Sequence, residues 1–317
     1  MSREGALSRR HVGVPVTRRK RNLALMQPRW EDESAMVVMV VCGLLLLVGV
    51  VSVVVWGDAP IRQPEFDYAE GRGSVASAAR RYIWYLAVAV ISGVSAGVCM
   101  AGAGGRLAMR LLASTAGDEA QGRETEADEI VGRISAGGTV TFIAFAALIF
   151  GLATGVLYML VRHWLPSGRL SGLVFGALLL AVGATRVEPL RAANPDFDLV
   201  GPGWLAATAF GILVLLHGML VGALVARCST ALPVVSNRRS LLAYSPLLVL
   251  LPVFPVYGVF AVVGGLVVAL RRRLKSVAEL LRSRKALVGG RIILAGVTLV
   301  ALPGCISAIA DIATRKP

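Results

Sequence analysis

The sequence predicts an all-α integral membrane protein of about seven transmembrane helices, and three observations lead to this prediction. Hydrophobic residues make up 56% of the 317 residues and charged residues only 16%, whereas soluble domains carry roughly 25% charged residues. The charges lie between long apolar runs, several of which reach the ~20 residues that cross ~30 Å of hydrocarbon. Four consecutive runs each carry two glycines four residues apart.

Composition along the chain divides it into five segments. The first apolar run begins late and lacks a small-residue cleavage motif, so we predict a retained anchor and not a signal peptide. The segments are a basic flexible cytoplasmic tail (1–35), a transmembrane anchor (36–56), a polar linker (57–81), a four-helix transmembrane core (82–230) and a C-terminal transmembrane pair with a basic loop (231–317). The predicted spans after the anchor are 82–102, 139–161, 170–186, 204–226, 244–270 and 291–310.

The glycine pairs of the core predict how its helices associate. Lipid tails are as apolar as leucine side chains, so helices in a membrane associate through close packing at small residues. One pair lies on each of the four core helices, and the eight glycines are Gly93, Gly97, Gly151, Gly155, Gly172, Gly176, Gly218 and Gly222. We therefore expect the core helices to pack backbone against backbone.

The same glycines indicate an internal duplication. At an offset of 79 residues, Gly93 and Gly97 align with Gly172 and Gly176; at an offset of 67, the pair in the second core helix aligns with the pair in the fourth. A repeat of two spans keeps its direction, so the two hairpins would be parallel and related by an axis along the membrane normal. Chance alignment in a glycine-rich membrane protein is the alternative.

Basic residues predict the orientation. The N-terminal tail carries eight basic residues and the segment 271–285 carries seven, and such clusters favour the cytoplasmic side. With six spans between them both clusters would share that side, which places the N-terminus in the cytoplasm and the C-terminus outside. We expect 271–285 to form an amphipathic helix on lipid. The net charge of +14 then indicates anionic headgroups as the partner and not nucleic acid.

The two hairpin loops of the core contain a candidate polar site. Arginines and acids are close together in both loops, and equivalent groups would meet near the axis of the bundle. The candidates are Arg106, Arg110, Glu126, Asp128, Arg186, Glu188, Arg191, Asp196 and Asp198. Three interpretations stay open: arginines that reach headgroups beside solvated acids, arginine–carboxylate pairs that lock the hairpins together, and a gate for a ligand or ion.

His217 is the one ionisable residue deep within a predicted core span, and ionisable residues in membranes are candidates for function. A neutral imidazole bonded to a facing helix is the alternative. The four cysteines have no metal-ligand spacing and are interpreted as small buried side chains. The sequence predicts neither a metal site nor a cofactor.

Four segments resemble an uncharacterised family of bacterial multi-pass inner-membrane proteins. The segments are GGRLAMRLL (104–112), TEADEIVG (125–132), VRHWLPSGR (161–169) and NPDFDLVGPGWL (194–205). The resemblance covers roughly residues 82 to 230, and the N-terminal anchor and linker look like an addition to it. It implies the bacterial plasma (inner) membrane and brings no activity, so it assigns no catalytic residue.

No nucleotide-binding, hydrolase or metalloprotease motif occurs in the strand–helix context that such motifs require, so we predict no enzymatic activity. The leading hypothesis is a structural or accessory membrane component whose core packs against itself, in a homo-oligomer, or against a membrane partner protein. The alternative is a small-solute or ion transporter or channel. Its path would be lined by Thr141, Thr208 and His217 and by the loop arginines.

Overall fold

The computed structural model describes residues 29–62, 75–127, 129–235, 238–245, 247 and 283–315. Within these ranges the chain is helical apart from its loops and one isolated bridge between Glu124 and Ile130. The all-α prediction is confirmed for this part of the chain. Five of its helices are long and apolar enough to cross a membrane, and a sixth, Arg169–Ala184, is shorter.

The helices follow one another in the order that the apolar runs predicted. Three of them contain a π-helical segment, in which the backbone hydrogen bonds skip one residue more than in an α-helix. They are α1 (Arg29–Trp56), α2 (Val75–Ala96, π segment Gly97–Gly104, then Gly105–Thr115), α3 (Ala136–Ala146, π segment Ala147–Gly151, then Leu152–Val161), α4 (Arg169–Leu178, then π segment Leu179–Ala184), α5 (Gly203–Ala231), the short α6 (Arg238–Leu242) and α7 (Arg284–Thr314).

Several helices are longer than predicted. α1 begins at Arg29 instead of residue 36. α2 begins within the predicted linker and continues past residue 102, so that its apolar span Ala79–Thr115 has 37 residues. At 1.5 Å per residue this span is about 55 Å long. Since the hydrocarbon core is ~30 Å thick, α2 extends beyond it.

The six long helices alternate in direction between two ends of the bundle. We call the end with loops 116–135 and 185–202 the loop end, and the end with 57–62 and 162–168 the linker end. Asp58, after α1, forms an ion pair with Arg169 at the linker end, with 2.8 Å between Oδ2 and Nε. α7 starts at this end, where Arg291 donates to the carbonyl of Trp164. It finishes at the loop end, where Arg315 donates to the carbonyl of Asn194.

These directions place the described starts of α1 and α7 at opposite ends of the bundle. Arg284 and Lys285, the last basic residues of the segment 271–285, begin α7 at the linker end. α1 ends at the linker end, where Gly57 lies near Arg169, and therefore begins toward the loop end. Most of the two basic clusters, residues 1–28 and 271–282, lies outside the described residues, so their common cytoplasmic side stays a prediction. Thr314 lies at the end of the bundle where α1 begins. Most of the predicted span 244–270 lies outside the described residues.

The glycines lie where the helices of each hairpin cross. In the first hairpin, a Cβ atom added to Gly97 would lie 2.7 Å from Cα of Ala147 and 2.9 Å from Cα of Gly151. Gly93 faces the backbone of Gly151 and Gly155 in the same way. Since a Cβ atom does not approach backbone this closely, any residue other than glycine would force α2 and α3 apart.

The second hairpin has the same crossing. A Cβ atom added to Gly176 would lie 2.7 Å from the carbonyl oxygen of Leu215, and one added to Gly218 would overlap the backbone of Gly176. Gly172 meets the backbone of Gly218 and Met219, and Gly222 approaches Cα of Gly172. α4 and α5 therefore also touch backbone to backbone.

Large side chains fill the space between the two hairpins. The largest that are fully buried are Trp84, Tyr158, Phe175, Met100 and Leu220, from α2, α3, α4 and α5. Trp84 also donates its indole N–H to the carbonyl of Leu232, just after α5, at 3.0 Å. The centre of the bundle is thus filled by side chains from both hairpins. α1 and α7 lie at the periphery and expose much of their apolar surface.

Candidate functional site

The first polar contact between the hairpins is made by His217 of α5. Its Nε2 lies 2.8 Å from Oγ1 of Thr154 on α3, and Thr154 also reaches the carbonyls of Phe150 and Gly151 in its own helix. The imidazole is 6% exposed. Its Nδ1 makes no hydrogen bond of ordinary geometry, although the ring interacts with the backbone of Ala96. This contact joins α5 of the second hairpin to α3 of the first.

Tyr158 of α3 makes the second polar contact. Its hydroxyl lies 2.8 Å from Oγ of Ser171 on α4, and both groups are buried. The ring of Tyr158 stands edge-on to Phe175, with 5.1 Å between the ring centroids, and its hydroxyl also approaches Gly222. One side chain of the first hairpin therefore touches both helices of the second.

The two threonines expected to line a path face elsewhere. Thr141 and Thr208 are both exposed on the outside of the bundle, and the hydroxyl of Thr208 donates to the carbonyl of Trp204 one turn back, at 2.8 Å. Such a local bond satisfies a threonine in an apolar environment. This is a correction: of the three membrane residues assigned to the path, His217 alone lies between the hairpins.

A charged cluster joins the two loops at the loop end. Arg191 of the second loop pairs with Glu126 of the first, with 2.5 Å between Nη2 and Oε2, and with Glu188, 3.2 Å from Nε to Oε1. Asp196 accepts a hydrogen bond from the backbone N–H of Glu126 at 2.8 Å. We call these four residues the loop cluster. It brings together four of the nine predicted polar residues.

Buried apolar residues position the second loop. Leu190 and Phe197 insert into a small core that also contains Leu112 of α2 and Phe210 of α5. The side chain of Asn194 accepts from the N–H of Asp196 and starts the short 3-10 helix Pro195–Asp198. The acids on either side of Phe197 are thereby held in fixed directions.

Partial burial changes how the loop cluster titrates. Desolvation raises the pKa of Glu188, although the hydrogen bond and the charge of Arg191 oppose the rise. Desolvation likewise raises the pKa of Asp196, against the hydrogen bond from the Glu126 backbone. Hydrogen bonds to Glu126 and Glu188 raise the pKa of Arg191, so its positive charge persists at any physiological pH.

The other predicted residues lie outside the loop cluster. Arg106 pairs with Glu129 at 3.0 Å, Arg110 donates to the carbonyl of Gly132, and Asp198 pairs with Arg315 at 3.4 Å. Arg186 donates to the carbonyls of its own helix end, Ala181 and Val182. Asp128 lies outside the described residues.

Sequence reasoning missed several participants. Arg315 joins the end of α7 to the second loop through the carbonyls of Ala192 and Asn194, and it also pairs with Asp311. The i, i+4 spacing of Asp311 and Arg315 was a signal for their own pair. Nothing in the sequence indicated their contact with a loop more than 100 residues away. Tyr158 and Ser171 carried no signal because both lie in apolar runs.

Among the residues that the structure describes, no three His, Cys, Asp or Glu side chains converge as a metal site would require. Compared with known proteins, the chain matches no protein-family model, no curated protein and no solved structure. The function is therefore inferred from the arrangement of the polar groups in the bundle and its loops. It consists of two polar contacts within the bundle and a charged cluster that ties its loops.

The charge pair between the loops leads to a testable prediction. Arg191→Ala and Glu126→Ala should each lower the melting temperature of the protein in detergent, and the double variant should melt close to Arg191→Ala, which already removes the contact with Glu126 as well as that with Glu188. The loss should shrink in high salt, since both side chains are partly exposed. Glu119→Ala, which removes an exposed acid of the first loop, is the control. Additive effects would contradict the contact.

Proposed function

We propose that this chain is a non-enzymatic component of a membrane, in which two glycine-packed hairpins form a rigid platform. The observation that carries the proposal is the state of the polar groups between the hairpins. His217 bonds to Thr154, and Tyr158 bonds to Ser171, in a centre filled by large side chains. Groups that bind a solute or conduct an ion face a cavity, whereas these face each other.

Two observations support the proposed duplication of a hairpin. In the first hairpin Gly93 contacts Gly151, and in the second Gly172 contacts Gly218. The sequence alignment of the two hairpins pairs the same glycines, so the two helix crossings are equivalent. α2 and α4 also run in the same direction, and the π segment of α4, moved back by 79 residues, overlaps Gly97–Gly104 of α2. A parallel repeat of this kind places equivalent loops at one end of the bundle.

The role of the platform is to hold its loop end and its peripheral helices in fixed positions. The loop cluster and the Asp198–Arg315 pair tie both hairpin loops and the end of α7 into one surface. A homo-oligomer or a membrane partner protein would bind such a platform through the apolar sides of α1 and α7. A transporter or channel stays the alternative, and it requires that water reach Ser92, Thr154 or Ser171.

We further propose a bacterial plasma (inner) membrane with the loop end in the cytoplasm. The resemblance of residues 104–112 and 194–205 to inner-membrane proteins supports the location. The seven basic residues that precede α1 support the orientation, because basic segments next to a first span are retained on the cytoplasmic side. α1 begins at the loop end, so the loops share the side of this tail.

Accessibility of single cysteines tests the platform against the transporter. In a variant that lacks the four native cysteines, we expect Ser92→Cys and Ser171→Cys to stay unlabelled by a charged, membrane-impermeant thiol reagent, because both positions are buried and a dry interior excludes the charged reagent. Glu119→Cys and Ser167→Cys, exposed at the loop end and the linker end, are matched controls. In intact cells only the cysteine at residue 167 should react, and after lysis both controls should.

Two results would overturn these proposals. Labelling of the cysteine at residue 92 or 171 in folded protein would show a water path between the hairpins. Solute or ion uptake into proteoliposomes that His217→Ala abolishes would have the same meaning. Labelling at residue 119 in intact cells would reverse the orientation and leave the platform unaffected.

A further inference from the structure

A cleft opens on the outside of the bundle, between the end of α4 and the middle of α7. Its volume is about 390 Å³, and it is lined by Val182, Arg186, Gly296, Val297, Val300 and Ala301. A Cβ atom added to Gly183 or Gly296 would meet no atom within 4 Å. Gly296, which lines the cleft, therefore leaves it open on the side of α7.

The cleft combines apolar walls with a single positive charge. Arg186 uses Nη1 to donate to the carbonyls of Val182 at 3.1 Å and Ala181 at 3.4 Å. Within the described ranges no carboxylate forms an ion pair with it. A guanidinium has five N–H donors, and these two hydrogen bonds use only Nη1. The donors on Nε and Nη2 are left for a ligand. Arg186 therefore favours an anionic ligand.

The length of α4 sets the depth of this arginine. α4 has 16 residues, about 24 Å of helix, which is less than the ~30 Å of the hydrocarbon core. Arg186 follows α4 by two residues, and its long side chain can extend to the level of the headgroups. Val297 and Val300 lie near the middle of α7, so in a bilayer they would face acyl chains.

We propose that the cleft between α4 and α7 binds one anionic phospholipid. The phosphate bonds to the guanidinium of Arg186, a pairing for which arginine geometry is suited. One acyl chain lies against Val182, Val297 and Val300. The described residues form an outward-facing cleft, which a lipid enters from the side.

The segment 248–282 is the other candidate to cover the cleft, and its charge argues against it as the partner of Arg186. This segment contains one acid, Glu279, beside the basic residues Arg271, Arg272, Arg273, Lys275 and Arg282. Because its net charge is positive, this segment would repel the guanidinium of Arg186 more than Glu279 could neutralise it. An anionic headgroup supplies the negative charge that this part of the chain lacks.

Native mass spectrometry of the full-length protein with bound phosphatidylglycerol or phosphatidylcholine tests the proposal. We expect the wild-type protein to retain one phosphatidylglycerol with about a fivefold preference, the ratio that one basic residue gives near an anionic membrane surface. Arg186→Gln should reduce the preference to nearly one. Gly296→Leu should reduce retention of both lipids, because the leucine fills the cleft without a clash.

Gly289→Leu is the matched control, because Gly289 also lies on α7 with open space at its Cβ position but outside the cleft; it should bind lipid as the wild type does. Equal preference in Arg186→Gln and wild type would overturn the proposal, as would equal retention in Gly296→Leu and Gly289→Leu. A photoreactive residue at position 297 should cross-link to phospholipid. Its cross-linking to the segment 248–282 would identify that segment as the occupant and overturn the proposal as well.

Discussion

Alanine at Gly218 is expected to destabilise the protein by about 1–3 kcal/mol, the usual cost of overpacking, and leucine there to prevent its folding. The added Cβ would overlap the backbone of Gly176 and lie 2.9 Å from the carbonyl oxygen of Gly172. Backbone atoms of a facing helix cannot move alone, so α4 and α5 must separate along their length. Thermal unfolding in mild detergent, followed by size-exclusion chromatography, measures the loss.

Gly211→Ala is the control on the same helix. No atom lies within 4 Å of its Cβ position, so alanine should be neutral or stabilise α5 by up to about 1 kcal/mol through its higher helix propensity. The comparison separates packing from propensity. Equal melting of Gly218→Ala and Gly211→Ala would show that α4 and α5 do not touch at this crossing.

Tyr158→Ala should have the second large effect, a loss of about 3–5 kcal/mol, the range for deleting a buried aromatic ring. The ring is 1% exposed, it packs against Phe175, and its hydroxyl bonds to Ser171. Its removal leaves a cavity between the hairpins and an unpaired hydroxyl. The loss should appear as a lower temperature of thermal unfolding and as faster proteolysis of the loops 116–135 and 185–202, which the packing of the two hairpins holds in contact.

Two variants of the same helix calibrate this prediction. Tyr158→Phe keeps the ring and should cost about 0.6–1 kcal/mol, the value of one hydrogen bond within a membrane protein. Phe145→Ala removes an aromatic ring that is 55% exposed on the outside of the bundle, and it should have little effect. A large loss in Phe145→Ala, or none in Tyr158→Ala, would contradict the position of α3 between the hairpins.

Both predictions concern the feature on which the proposed platform depends. The two hairpins are held within themselves by glycine contacts and to each other by Tyr158, His217 and the loop cluster. If Gly218→Ala and Tyr158→Ala lower stability as expected, the space between the two hairpins is tightly packed. The proposed lipid site beside Arg186 lies outside this centre, between α4 and α7.

Helix positions were accessible to sequence reasoning, and helix ends were less so. Apolar runs mark where a segment enters hydrocarbon, but α2 continues well past residue 102 as a helix that is no longer confined to lipid. The predicted end there followed hydropathy, which changes at the membrane boundary. The backbone hydrogen bonds of a helix do not depend on that boundary, so the helix extends through GGRLAMRLL.

The polar site was predictable in its composition and only partly in its contacts. Glu126, Glu188, Arg191 and Asp196 meet because their loops return to one end, as consecutive hairpins require. Arg110 and Arg186 do not join them, because each finds backbone carbonyls closer than any acid. The sequence shows which charged side chains the loops contain. The folded positions of the loops determine which acid or carbonyl each arginine contacts.

The sequence alone predicted a helical membrane protein and the order of its apolar helices, and it showed that glycines recur at fixed spacing on four of them. These properties depend on transfer from water to lipid and on residue size, both of which are local. Only the tertiary structure decided that α7 runs from the linker end to the loop end, that Arg315 closes on the second loop, and that His217 faces Thr154. Those facts depend on which helix faces which, and contacts between residues more than 60 positions apart leave no local trace in the chain.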